Sequence, residues 1–195
     1  TSGFRETFGG LHKKYGVNPD MAIFGKALGN GYAITALIGR REIMEAAQST
    51  FISSTFWTER IGSVAALKTL EIMERDKSWE TITNTGNNIS KSWLNLGNKY
   101  KLDVSVSGLP ALTGFNIHSD DWLKYKTLIT QEMLKKGILA TDSVYVCIEH
   151  KYRIVEDYFE KLEPIFEQIE RCENGFPIDQ LLDGSVCHVG FKRLN

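Results

Sequence analysis

The sequence predicts an α/β chain. Three observations lead there. Two short apolar runs, Met21 to Phe24 and Ala33 to Ile38, are joined by a Gly-rich turn. An apolar stripe of helical period runs from Trp79 to Tyr100. Strand and helix patterns then alternate beyond Asp103, as in a small α/β or α+β layer. The chain has 195 residues, enough for one domain or two small ones. Its 42% hydrophobic and 11% aromatic content suits a packed core rather than disorder.

Gly9-Gly10 and the polar stretch His12 to Tyr15 read as a loop or short helix before the Pro19-Asp20 turn. The two strands follow, with Lys26 held between glycines at the turn, which carries it to the rim of a sheet. Arg41 to Ala47 predicts one or two helical turns. Ile61, Val64, Ala65, Leu67, Leu70, Ile72 and Met73 predict a helix buried on most sides. Thr58 is the expected N-cap, with Glu59 just inside, where the helix dipole favours an anion.

The Arg75-Asp76-Lys77-Ser78 cluster is the best domain boundary, giving 1–76 and 77–195. After it, Trp79, Ile82, Gly86, Ile89, Trp93, Leu96 and Tyr100 recur at spacings of three and four, one face of a long helix. That stripe is expected to be core rather than a partner-binding surface. Gly86 would let a neighbouring backbone come close, at about 1 kcal/mol of helix propensity relative to Ala. Asp103 to Val106, Leu112 to Ile117 and Val144 to Ile148 are the strand candidates. One flanking helix pattern runs from Trp122 to Leu134 and ends at Lys135-Lys136-Gly137, basic residues and then a C-cap glycine. The other runs from Val155 to Ile169, with Pro164 expected to kink it or start a new turn.

Composition excludes several function classes. Lys plus Arg is 23 and Asp plus Glu is 24, so a net charge of -1 offers no basic field for nucleic acid or an anionic membrane. No apolar run approaches the roughly 20 residues needed to span a bilayer. Cys147, Cys172 and Cys187 are far apart without a C-x-x-C, which favours free thiols in a reducing compartment such as the cytoplasm. The four histidines are scattered, so no zinc site is expected.

Lys26 carries the chemistry, if any residue does. A lysine becomes a nucleophile when its amine is partly desolvated or lies near other positive charge, because its pKa then falls. A plain solvated turn residue is the alternative. The block is no P-loop, since Gly25-Lys26 comes first and Ala27 follows. It is no dinucleotide loop either, since Ile34 stands where the third glycine would be.

Three blocks in order weigh on this choice: Thr1-Ser2-Gly3-Phe4-Arg5, then PDMAIFGKALGNGYAITALIGR, then SSTFWTERIGSVAALKTLE. Together they resemble the class III aminotransferases, with glutamate-1-semialdehyde aminomutase among the nearest in pattern. The resemblance covers positions 1 to 71 well and the rest more loosely, in SGLPALTGFNI and the closing CHVGFKRL. It implies an aspartate-aminotransferase-like fold, with 1–76 the C-terminal part of the large domain and 77–195 an α+β small domain. A large N-terminal part would then be missing.

The resemblance also implies pyridoxal phosphate as cofactor, a small-molecule amine and a keto or aldehyde partner, and a homodimer with shared active sites. Lys26 matches the family's Schiff-base lysine. Thr55 falls where the family places a threonine that reaches the cofactor phosphate of the neighbouring subunit. Arg5 lies near the cofactor end in relatives, and would meet a substrate carboxylate or serve as a surface ion-pair residue; Arg40 and Arg193 are weaker candidates. The family's Asp-Glu pair, whose aspartate meets the pyridine nitrogen, precedes the block that begins here at Thr1. Phe56-Trp57-Thr58-Glu59-Arg60 departs from the small residues and Asn-Pro of many relatives, which leaves the substrate open. Two other readings stay open: a different reaction of the same cofactor, such as racemisation or decarboxylation, or a noncatalytic assembly domain.

Overall fold

A computed structural model describes residues 5–190. The chain divides into two compact units, Thr1–Thr83 and Asn84–Asn195.

In the first unit β1 (Met21–Phe24) and β2 (Ala36–Gly39) form an antiparallel pair, with Ile23 opposite Leu37 and Phe24 opposite Ala36. Side chains alternate across a strand, so the hairpin has two faces. Phe24 and Ala36 turn inward onto a small core of Leu28, Ala66 and Met73, joined by Phe8, Ile34 and Leu70. Met21, Ile23 and Leu37 turn outward and are 51%, 78% and 44% exposed. A short helix, α1 (Arg41–Glu45), and one turn of 3-10 helix follow β2.

The next helix, α2 (Ile61–Asp76), departs from expectation twice. It is not buried on most sides. Only Gly62, Ala66 and Met73 are buried, and Ile61, Val64 and Leu67 are 60%, 63% and 68% exposed. One stripe packs on the small core, and the apolar residues outside that stripe stay in water. Thr58 does not cap it either. Arg60 occupies the N-cap position, and the Glu59 carboxylate accepts from the Ile61 and Gly62 amides at 2.7 and 3.4 Å. The helix starts late enough that only Glu59 reaches its first free N–H groups. At the far end Lys77 takes left-handed backbone, φ 46°, and its N–H returns to the Met73 carbonyl. Phe8 stacks on Trp79 just beyond, ring centroids 5.1 Å apart.

The long helix α3 (Ser78–Lys99) begins in the first unit and continues into the second. In the second unit β3 (Val104–Leu109), β4 (Leu112–Ile117) and β5 (Ser143–Tyr145) form an antiparallel sheet in that order. Thr113, Phe115 and Ile117 alternate into the core along β4. Helices α4 (Trp122–Lys135) and α5 (Tyr152–Glu173) supply the rest of it. Phe115 is the meeting point: Trp93, Trp122 and Phe166 lie 4.7, 5.9 and 6.0 Å from its ring. Gly86 admits the close approach that its place in the stripe suggested. A Cβ there would lie 1.8 Å from the Pro110 carbonyl oxygen, so no larger residue fits.

Gly137 ends α4 at φ 78°; its N–H reaches the Leu134 carbonyl and that of Ile138 the Met133 carbonyl, a Schellman closure. Pro164 neither breaks α5 nor begins a new helix. It is exposed, so the one helical bond it removes lies on the water side.

Candidate active site

Lys26 is separated from β1 by Gly25 alone and opens a turn of 3-10 helix, Lys26–Leu28. Leu28 is 7% exposed and belongs to the small core with Ala66 and Met73. That anchor fixes the turn from below and leaves Lys26 exposed above it. The Lys26 carbonyl accepts from the Gly29 and Asn30 amides at 3.1 and 3.0 Å. Its own backbone is left-handed, φ 46°, which costs a non-glycine residue about 1–3 kcal/mol. Strain of that size, held by an anchored turn, fixes where the lysine stands.

The first turn of α2 lies against the same loop. A Cβ on Gly62 would meet the Ala33 carbonyl oxygen at 2.5 Å, so the helix start and the segment after Lys26 approach closely. Just upstream, Ser53, Ser54 and Thr55 are all exposed. Ser54 Oγ accepts from the Phe56 amide at 3.2 Å and its carbonyl from the Trp57 amide at 3.3 Å, which shapes the turn and leaves the Thr55 hydroxyl facing water. Phe56 and Trp57 are 58% and 67% exposed. Glu59 already occupies the leading amides of α2, so a phosphate near Thr55 would rely on the hydroxyls and turn amides rather than on the helix end.

Asp20 and Arg40 close the open end of the hairpin. The Arg40 amide donates to the Asp20 carbonyl at 3.0 Å, and the side chains pair at 3.1 Å. Arg40, a weaker substrate candidate, therefore has a structural partner. Arg5 is half-buried, and Arg193 lies outside the described residues. Sequence reasoning missed Glu6, only 6% exposed, which pairs with Lys14. Its hydrogen bond holds the Lys14 amine above the usual lysine range. Nothing in the sequence marks two residues eight apart in a loop as a pair.

The remaining chemistry is sparse. All three cysteines are free. Among the described residues no group of three or more His, Cys, Asp or Glu is placed to hold a metal, and no helix is long and apolar enough to cross a membrane.

Residues 6–172 match the family described as Aminotransferase class-III. The 3-aminobutyryl-CoA aminotransferase of Cloacimonas acidaminovorans (strain Evry) is 35% identical over 155 residues, 76% of this chain and 37% of that protein. A glutamate-1-semialdehyde 2,1-aminomutase of Methanocaldococcus jannaschii is 25% identical over 186 residues, 87% of this chain and 43% of that one. Among solved structures, the FumI protein of Sphingopyxis sp. MTA144, described as its PLP internal aldimine form, superposes with a TM-score of 0.81 at 23% identity. It covers 93% of this chain and 44% of its own. The chain thus spans about two fifths of the length of the relatives it matches. Since the family match takes in both the Lys26 turn and the three-stranded unit, the chain belongs to the class III aminotransferases.

Proposed function

We propose that the protein carrying this sequence transfers amino groups with pyridoxal phosphate, and that Lys26 is its reacting amine. The observation that supports this most is the strained, anchored turn that presents Lys26 at the end of β1 in a class III aminotransferase chain. The donor set fits two ends of the cofactor: a primary amine for its carbonyl carbon, and the exposed hydroxyls of Ser53 to Thr55 for its phosphate. The pyridine nitrogen finds no carboxylate in Asp20, which is committed to Arg40.

When bound, the cofactor's ring withdraws electrons and makes a carbanion on the substrate carbon tolerable. Lys26 would hold the cofactor's carbonyl carbon through Nζ, then as a free amine carry the proton between the two reacting carbons. Thr55 would donate its hydroxyl to a phosphate oxygen, across the interface of a homodimer. Arg5 would meet a substrate carboxylate. Phe56 and Trp57 would narrow the neighbouring site and select among small amines. A cytoplasmic location agrees with the three free thiols.

The test is to load the protein with pyridoxal phosphate, reduce it with borohydride, digest it and locate the pyridoxyl group by mass spectrometry. The label is expected on Lys26, and a label on another lysine overturns the assignment. Lys26→Ala is expected to abolish turnover with the fold intact. The 195-residue chain alone is expected to retain the cofactor poorly, which dialysis followed by absorbance would measure.

A further inference from the structure

The stretch that follows α5 runs back along α4 and is fastened to it in an unusual way. Leu123, Thr127, Gln131 and Lys135 are spaced four apart, so they form one ridge of that helix. Every one of them engages the returning chain. The Gln131 amide uses both ends: Nε2 donates to the Leu181 carbonyl at 2.8 Å, and Oε1 accepts from the Asp183 amide at 2.7 Å. A carbonyl and the amide two residues on are the pair a neighbouring strand would satisfy, so Gln131 acts as one rung of a ladder.

One turn earlier, Thr127 Oγ1 donates to the Leu123 carbonyl at 2.7 Å and accepts from the Cys187 amide at 2.9 Å. The Cys187 thiol donates to the same Leu123 carbonyl at 3.5 Å. Lys135 pairs with Asp183 at 2.8 Å, and Lys124 with Asp179 at 3.3 Å.

Among the described residues these are the hydrogen bonds and ion pairs that fasten it. Ile178 is 4% exposed and roots the segment in the core. Beyond it Leu181 and Leu182 are only half-buried, and Asp183 to Val186 are exposed. Little apolar area would be uncovered if the segment lifted, so opening it need not disturb the helices beneath. The contacts with Gln131 and Thr127 are made to backbone groups, so they set which residue lies where without reading side chains.

We propose that the 123–127–131–135 ridge of α4 is a latch that holds residues 181–187 in one register and releases them together, with Gln131 as the residue that sets the register. The hinge lies just after Ile178. Ion pairs at Lys135 and Lys124 make the latch looser as salt rises.

Amide hydrogen exchange in the 195-residue chain tests this. Asp183 and Cys187 are expected to exchange at similar rates. Gln131→Ala is expected to speed both by about tenfold, the effect of losing two ordinary hydrogen bonds. Thr127→Val, which removes the Cys187 acceptor along with the bond within α4 to the Leu123 carbonyl, is expected to speed both as well, because the segment opens as a unit. Amides of Met133 and Phe166 are expected to stay unchanged in both variants. The proposal is overturned if Gln131→Ala leaves Cys187 protected, since the two anchors then act separately. It is equally overturned if Met133 and Phe166 lose protection alongside, since the segment is then part of the core.

Discussion

In the second unit Trp93, Leu128, Leu162 and Phe166 are each 0% exposed, whereas in the first Ile23, Trp57 and Leu67 are 78%, 67% and 68% exposed. The two units use similar side chains to opposite effect. Three strands, two full helices and most of α3 let the second unit close around Phe115 from several sides. The first unit has a two-stranded hairpin, and a lone hairpin is at best marginally stable in water. Among its described residues the buried apolar side chains are Leu28, Ala66, Met73 and Ile82, with a ring of half-covered neighbours around the first three. Lys26, the amine of the proposed function, stands in this open unit, so the part of the chain to which we assign the chemistry is also the part that does least to stabilise itself.

Truncation in the closed core is the strongest test of that contrast. Trp93→Ala removes a fully buried ring 4.7 Å from Phe115, along with the indole N–H bond to the Tyr158 hydroxyl. It is expected to cost about 3–5 kcal/mol. Urea denaturation would show whether the loss is confined to the second unit; an equal loss of signal from the first would mean that the two fold as one.

A smaller effect belongs to the open unit. Glu59→Ala strips the two leading amides of α2 and is expected to cost about 1 kcal/mol. Thr58→Ala is expected to change little. If the two prove equal in thermal melts, the helix starts earlier in solution than at Ile61.

Acid sharpens the comparison from the other side. The Lys99 amine hydrogen-bonds Glu163 and holds its carboxyl below the usual glutamate range. A carboxylate whose folded pKa is depressed adds stability above its unfolded value, about 4.3, and loses it as pH falls through the folded pKa. The second unit is therefore expected to weaken below about pH 4.3, and Glu163→Gln to flatten that dependence in melts taken from neutral to acid pH.

Least of all in stability should be Ile23→Ser and Leu67→Ser, within about 0.5 kcal/mol, because both side chains are already in water. Their effect should appear instead as reduced self-association by light scattering. A large stability loss would mean that these faces are covered in solution.

Much of this contrast was visible in the residues and much was not. The stripe from Trp79 to Tyr100 reports burial because a helix facing a closed core must repeat at three and four, and Gly86 in that stripe announced a close backbone. Ile61, Val64 and Leu67 on α2 look no different in sequence, yet they are exposed. Periodicity tells which residues share a face, but not whether anything lies opposite. Thr58 looked like the cap because hydroxyl residues commonly hold that place. Where the helix begins depends on how the loop before it turns, and here that puts Glu59 in reach instead.

By itself the sequence determined the order of strands and helices, the core face of α3, the glycine stop at Gly137 and the family to which the Lys26 block belongs. Those follow from local chemistry: period, turn residues and short motifs. Only the tertiary structure decided that Leu28 anchors the Lys26 turn, that Asp20 is committed to Arg40, that Glu6 finds Lys14, and that Gln131 holds a segment fifty residues away. These depend on which surfaces meet, and a contact between distant residues leaves no mark in the spacing of either one.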